Sequence, residues 1–345
     1  MNTWNKEIAD CLGEIKFNGT ICISKDNKII FEKAMGKADF EKEIANQMST
    51  TFFIASVTKQ FTAACILLLV QNGKLNLDDI VSKYVPLYCH AGKITIRNLL
   101  NMSSGILDYL NDIVDKQYRE EEKESILSQE EFFFYAVDGM NRSYDFRNVM
   151  DLVSDLPLIY IPGSKLTYSN TNYQILGYII EKISGESYQE YVKHNIFEPL
   201  QMDSSHLNGL KADADSYISY KNNCRVLGRS KGIGADGSIV SNAYDITKWL
   251  QAIVNDKLLS SYSWKQCFTF IKNSDKELLP NNYGFGWMKT DKWYTHGGCQ
   301  LGYLAGVAIQ PEEKISVVVL GNKCSEEYEE EPLYKIIKVI QDIGV

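Results

Sequence analysis

The chain has 345 residues, of which 45% are hydrophobic and 23% charged, and it carries a net charge of −8. That length holds one large domain or two interleaved ones, and the acidic balance argues against a nucleic-acid partner. Tyrosine is abundant at 21 and proline scarce at 7, which speaks against long disordered linkers.

In chain order, Trp4, Ile8, Cys11, Leu12 and Ile15 fall at helical spacing over residues 3–15. Residues 18–36 read as a hairpin. Thr20-Ile21-Cys22-Ile23-Ser24 is followed by a turn at Lys25-Asp26-Asn27-Lys28 and then by Ile29-Ile30-Phe31-Glu32-Lys33. Phe61 to Val70 is apolar almost all round, which predicts a buried helix, and Asn72-Gly73 supplies its stop. Residues 108–160 contain a charge run, Arg119 to Glu124, and an aromatic run, Phe132 to Tyr135. A solvated helix face and core packing are the plain readings. The alternative is a lid over a substrate pocket. Asn172 to Ser184 is a second helix with a Tyr173, Leu176, Ile180, Ile183 stripe, ended by Gly185. Ser241 to Ile253 is a third, opened by Ser241 and Asn242 with Asp245 close behind. Tyr303 to Gln310 and Lys314 to Leu320 flank a turn and predict a hairpin, and Glu331 to Ile343 a last amphipathic helix. Strands at both ends and a mainly helical middle imply a sheet built from the two chain ends with a helical insertion between them.

None of the eight cysteines forms a C-x-x-C pair or has a histidine at metal-ligand spacing. Most of them read as reduced structural thiols, which favours a reducing compartment. No basic segment followed by an apolar one opens the chain, so a cytoplasmic location is expected if Met1 is the native start. The longest apolar run, Cys65 to Val70, is too short to span a membrane. No metal site is visible, and the chemistry below needs no cofactor.

Three short motifs carry chemistry. In Ser56-Val57-Thr58-Lys59 a serine and a lysine lie one helical turn apart on one face. A serine in the first turn also sits near the positive end of the helix dipole. The hydroxyl can pass its proton to a neutral lysine amine, although an N-cap serine beside a solvated lysine spells the same tetrapeptide. Tyr168-Ser169-Asn170 follows Pro162-Gly163 on a loop just before a helix. A tyrosine phenol near lysine cations can have its pKa lowered enough to act as a base, and Asn170 can hold a lysine and a substrate amide together. In His296-Gly297-Gly298-Cys299 the glycines let a strand edge approach an acyl group. The backbone N–H of Cys299 could pair with that of Ser56 as an oxyanion hole.

Together, and in this order, these motifs resemble the serine β-lactamase and penicillin-binding-protein superfamily, in its class C β-lactamase and DD-peptidase branch. That branch carries S-x-x-K, Y-x-N and a K/H/W-x-G element; the class A enzymes have S-D-N and K-T-G instead. Leu99-Leu100-Asn101-Met102-Ser103-Ser104-Gly105-Ile106, Asp236-Gly237-Ser238-Ile239-Val240-Ser241, Tyr283-Gly284-Phe285-Gly286-Trp287 and Val317 to Asn322 resemble further segments of the branch, so the likeness covers nearly the whole chain. It implies an α+β, β-lactamase/transpeptidase-like fold. An antiparallel sheet from about 1–55 and 283–345 would be flanked by terminal helices, with a largely helical subdomain over about 56–282, in a single domain.

The resemblance implies Ser56 as the acylated nucleophile, Lys59 and Tyr168 as the proton-transfer pair, and Asn170 as a substrate-orienting residue. It places His296 and Gly298 on the strand lining the site and puts the oxyanion hole at the N–H groups of Ser56 and Cys299. The partner would be a small molecule or peptide with an acyl group; oligomeric state is left open. Where β-lactamases of the branch have a lysine that helps bind the substrate carboxylate, this chain has His296, neutral most of the time near pH 7. D-Ala-D-Ala peptides, β-lactams and carboxyl esters remain as substrates, and a catalytically silent ligand sensor on the same fold is the reading from another class.

Overall fold

The computed structural model describes residues 3–14, 16–118, 126–140, 144–207, 212–220, 223–228, 234–272, 282–325 and 332–343. The charge run from Arg119 to Glu124 lies outside the described residues.

Helix α1 (Thr3–Glu14) leads into the hairpin β1 (Gly19–Lys25) and β2 (Lys28–Met35). Asp26 and Asn27 at its tip take φ of 49° and 62°. Two left-handed residues give a turn whose twist matches that of the flanking strands. Six further strands complete the sheet: β3 (Ile271–Lys272), β4 (Asn282–Tyr283), β5 (Met288–Thr290), β6 (Trp293–Gln300), β7 (Tyr303–Gln310) and β8 (Ile315–Gly321). Their order is β2-β1-β8-β7-β6-β5-β4-β3, and each neighbouring pair is antiparallel. The two chain ends meet where Gly19 stands opposite Gly321. The short β3 and β4 carry the sheet's far edge ahead of residue 283.

Both faces of this sheet are covered. Ile21 and Ile23 of β1 and Val317 and Val319 of β8 point to one face. There α1 and the last helix, α5 (Pro332–Ile343), press Ile8, Leu12, Leu333 and Ile336 onto them. Cys22, Val318 and Leu320 point the other way, into the main core. Burial on both faces explains why Val317 to Leu320 is an unbroken apolar run rather than an alternating one. Burial also pushes the Cys22 thiol up to about 11, in keeping with an inert packing cysteine.

The helical part packs on that inner face. Helix α2 (Thr58–Gln71) is buried from Thr58 to Leu69, which is why its sequence shows no polar stripe. Asn72 and Gly73 end it, with Gly73 at φ 69°. Helix α3 (Asn170–Ser184) begins two residues earlier than its apolar periodicity suggests and stops at a left-handed Gly185. Helix α4 (Ala243–Val254) is capped by the Asn242 side chain, which accepts from the Asp245 N–H. Ser241 belongs instead to a two-residue strand paired with Phe52–Phe53. No helix among the described residues is long and apolar enough to cross a membrane.

Candidate active site

The chain arrives at Ser56 through Ala55, whose φ of 45° is left-handed and costly for a residue with a Cβ. Ser56 lies in a 3-10 turn, Ala55–Val57, and α2 starts only at Thr58. The sequence places the serine in the helix's first turn; the structure puts Lys59 there and the serine just ahead of it. The i, i+3 geometry survives, because the 3-10 turn runs straight into the helix.

The Lys59 side chain is fully buried. Its ammonium donates to Ser56 Oγ at 3.0 Å, to Asn170 Oδ1 at 2.7 Å and to the main-chain oxygen of Asp236 at 2.6 Å. Burial draws its pKa from 10.5 down to about 8, against the pull of the Asp236 and Asp108 charges. The charges facing it are carboxylates, so its partial neutrality comes from desolvation rather than from a neighbouring cation.

Tyr168 donates its hydroxyl to Ser56 Oγ from another side, at 2.8 Å, and its ring lies 4.9 Å from Lys59 Nζ. The sequence suggests a phenol lowered towards ionisation. The structure corrects this: burial holds the phenol well above its ordinary value, so Tyr168 is a neutral donor in the resting protein.

Asn170 is the first residue of α3. Its Nδ2 donates to both oxygens of Asp108, at 3.2 and 2.9 Å. A carboxylate only accepts and an ammonium only donates, so these two neighbours fix which way the amide faces.

Asp108 has no place in the three motifs. It lies two residues past Ser103-Ser104-Gly105-Ile106, and its side chain also accepts from the Leu110 and Asn111 N–H groups and from Asn111 Nδ2. Next to it, the Tyr109 hydroxyl donates to Asp236 Oδ2 at 2.9 Å, and Gln174 Nε2 donates to Asp236 Oδ1 at 2.8 Å. Residues 108 and 109 thus grip residues 170 and 174, one turn apart on α3, with Lys59 held between the two chains of bonds. Burial raises the pKa of both carboxyls.

Strand β6 closes the other side. A Cβ on Gly298 would lie 2.7 Å from the Ile54 carbonyl oxygen and 2.8 Å from the Ser56 nitrogen, so only glycine lets β6 come this near the serine. The strand pairs with β5 as far as Thr295. From His296 to Cys299 it pairs, among the described residues, on the β7 side alone, and these residues line a cavity that Ser56 also lines.

The His296 side chain turns inward. Its Nδ1 lies 2.6 Å from the Gly297 carbonyl and its Nε2 3.0 Å from the Tyr283 hydroxyl. A carbonyl cannot donate, so Nδ1 carries the proton and Nε2 accepts from the tyrosine. Burial, followed by the Lys59 charge, pulls its pKa down to about 3. Both ring nitrogens are engaged and the ring is neutral, which suits it to fixing Tyr283 more than to binding a carboxylate.

Ser56 opens onto two cavities. One, of about 300 Å³, is walled by Tyr109, Val137, Tyr144, Asp236, Cys299 and Cys324 among others. The second is wider and holds Asp108 and Asp112 beside the β6 edge. Among the described residues neither lining includes a lysine or an arginine. Of the 108–160 stretch, Tyr109, Leu110, Asn111, Val137 and Tyr144 reach the first cavity. The aromatic run does not, since Phe133 packs on Phe134 and Tyr220, and Tyr135 on Tyr118.

A buried lysine and a tyrosine hydroxyl thus converge on one serine, in a fold shared with serine hydrolases. The chain belongs to the beta-lactamase family, whose model matches residues 5–339. Penicillin-binding protein 4* of Bacillus subtilis is 26% identical over 94% of this chain and 72% of its own length. Among solved structures, a penicillin-binding protein from Bacillus halodurans superposes with a TM-score of 0.79 at 25% identity, covering 97% of this chain and 99% of its own. An octameric penicillin-binding protein homologue from Pyrococcus abyssi gives 0.81 at 28% identity, covering all of this chain and 78% of its own.

Proposed function

We propose that the protein hydrolyses or transfers the acyl group of an ester or amide through an acyl-enzyme on Ser56, as a penicillin-binding-protein-like enzyme. One observation carries this: Ser56 Oγ is bonded at once to Lys59 Nζ and to the Tyr168 hydroxyl, at the mouth of two cavities. Lys59, with a pKa near 8, has a neutral fraction able to take the serine proton. Tyr168, a neutral phenol, is placed to hand a proton to the leaving group. The oxyanion that develops on the substrate would meet the N–H groups of Ser56 and Cys299. Asn170 and the free edge of β6 at Gly298 would align the substrate backbone, as an added strand aligns on a sheet edge.

The charge of the site narrows the substrate. His296 is neutral, and acidic rather than basic side chains face both cavities. A substrate carboxylate finds no lysine or arginine among these described lining residues, so uncharged esters and amides are favoured over β-lactams.

The test is intact mass after exposure to a fluorescent penicillin and, separately, turnover of p-nitrophenyl esters, each with Ser56→Ala as control. Ester turnover lost in the variant, with a slow or absent penicillin adduct, is the expected result. Rapid penicillin hydrolysis would move the assignment to a β-lactamase. Ester turnover that survives Ser56→Ala would remove Ser56 from the chemistry.

A further inference from the structure

Neither Cys299 nor Cys324 is in a disulfide, and both line the smaller cavity beside Ser56. They arrive from different strands. Cys299 is near the end of β6. Cys324 lies in the short strand Lys323–Ser325, which pairs in parallel with Ser216–Tyr220. Cys299 is exposed and Cys324 is buried. Cys299 and the Gly302 N–H, in the turn after β6, both lie close enough to the Cys324 sulfur to favour its thiolate. Together they hold the Cys324 thiol below its ordinary pKa.

We propose that Cys299 and Cys324 form a reversible disulfide, with a low-molecular-weight disulfide as oxidant, and that this bond shuts down acylation at Ser56. The exposed Cys299 sulfur attacks the oxidant, forming a mixed disulfide and releasing one thiol, which keeps the Cys299 proton. The Cys324 sulfur then attacks Cys299, releasing the second thiol with the second proton. Two electrons pass from the cysteine pair to the oxidant, and the reverse exchange with excess thiol restores both cysteines.

Two neighbouring sulfurs on one cavity wall must close to about 2.05 Å to bond. That movement is taken up by the end of β6 or by Lys323–Ser325, and both border the cavity. The end of β6 has little slack, because there is no room even for a Cβ between Gly298 and the backbone of Ile54 and Ser56. Any shift there displaces the Cys299 N–H from the position a developing oxyanion would occupy.

The probe is oxidised glutathione. After incubation, intact mass should show the loss of two hydrogens, and peptide mapping should link Cys299 to Cys324. Labelling of Ser56 by a fluorophosphonate should slow at least roughly 10-fold, by the loss of one oxyanion donor, and recover with dithiothreitol. Cys324→Ser should instead hold a stable glutathione adduct on Cys299. Ser56→Ala should still form the bond, so failure of the disulfide and failure of the acyl-enzyme reading are separable. Glutathione only on the other exposed cysteines, Cys89 and Cys224, or a 299–324 link that leaves labelling unchanged, would overturn the proposal.

Discussion

Asp108 holds Asn170 through both carboxylate oxygens, and Asn170 in turn presents its own oxygen to Lys59. The carboxylate therefore reaches the lysine through one intervening amide. Asp108→Asn keeps the size and the capping oxygen for Leu110 and Asn111 but frees the Asn170 amide to turn over. It also removes a charge that favours the Lys59 ammonium. Ester kcat should fall more than about 10-fold with KM little changed, and the rising limb of the pH–rate profile should move to lower pH. A variant with an unshifted profile would take Asp108 out of this role.

Lys59 must be neutral to accept a proton, so acylation should climb with pH through about 8, the value to which burial lowers it. Lys59→Met should cut acylation by roughly 100-fold or more while leaving the fold intact. The same shift has a stability sign. The unfolded lysine stays protonated up to about 10.5 while the folded one has lost its proton, so this group makes stability rise with pH between about 8 and 10.5. Denaturant melts across that window, with and without Lys59→Met, measure the term.

Tyr168→Phe removes the donor to Ser56 Oγ without emptying the space its ring fills. Turnover of esters with poor leaving groups should suffer most, because those require the proton. Stopped-flow comparison of nitrophenyl and alkyl esters checks this; equal losses on both would assign Tyr168 to positioning the serine.

His296 should not titrate in the physiological range, being held near 3 by burial. Of the four histidine ring signals, that of His296 should stay fixed between about pH 5 and 8 in an NMR titration, while unperturbed histidines move near 6.5. A pH–activity inflection near 6.5 that disappears in His296→Asn would contradict its neutral, bonded state.

Gly298→Ala places a methyl group within 2.8 Å of Ser56 N and 2.7 Å of the Ile54 oxygen. The strand must retreat from the serine, so kcat should drop at least about 10-fold even where a thermal melt shows the fold intact.

Ser56, Lys59, Tyr168 and Asn170 were legible in the sequence because each sits in a short motif beside the start of a long helix. The hairpin at Asp26-Asn27 and the helices α2 and α3 were legible for the same local reasons, since periodicity and turn chemistry are read within a dozen residues. Asp108 and Asp236 were not. An aspartate in a loop reads as solvated, and only the folded chain shows that Asn170, Tyr109 and Gln174 supply the donors that keep it buried. His296 was legible as a neutral replacement for a lysine. Its inward turn onto Tyr283 depends on a partner thirteen positions away whose facing strand is only two residues long. The direction of the Tyr168 shift is hidden from the sequence, which shows the nearby lysine but not the depth of burial, and burial is the largest effect on the phenol.

The pairing of Gly19 with Gly321 also governs how the molecule comes together. During synthesis the β1–β2 hairpin emerges long before β8, and its inner edge lacks that partner until nearly 300 further residues have been made. Closure of so long a loop makes assembly of the sheet a late and slow event. Until β8 arrives, the apolar Ile21-Cys22-Ile23 edge is an open template for another chain. Heterologous expression should therefore be governed by translation speed and temperature, with the hairpin edge as the point where nascent chains stick together.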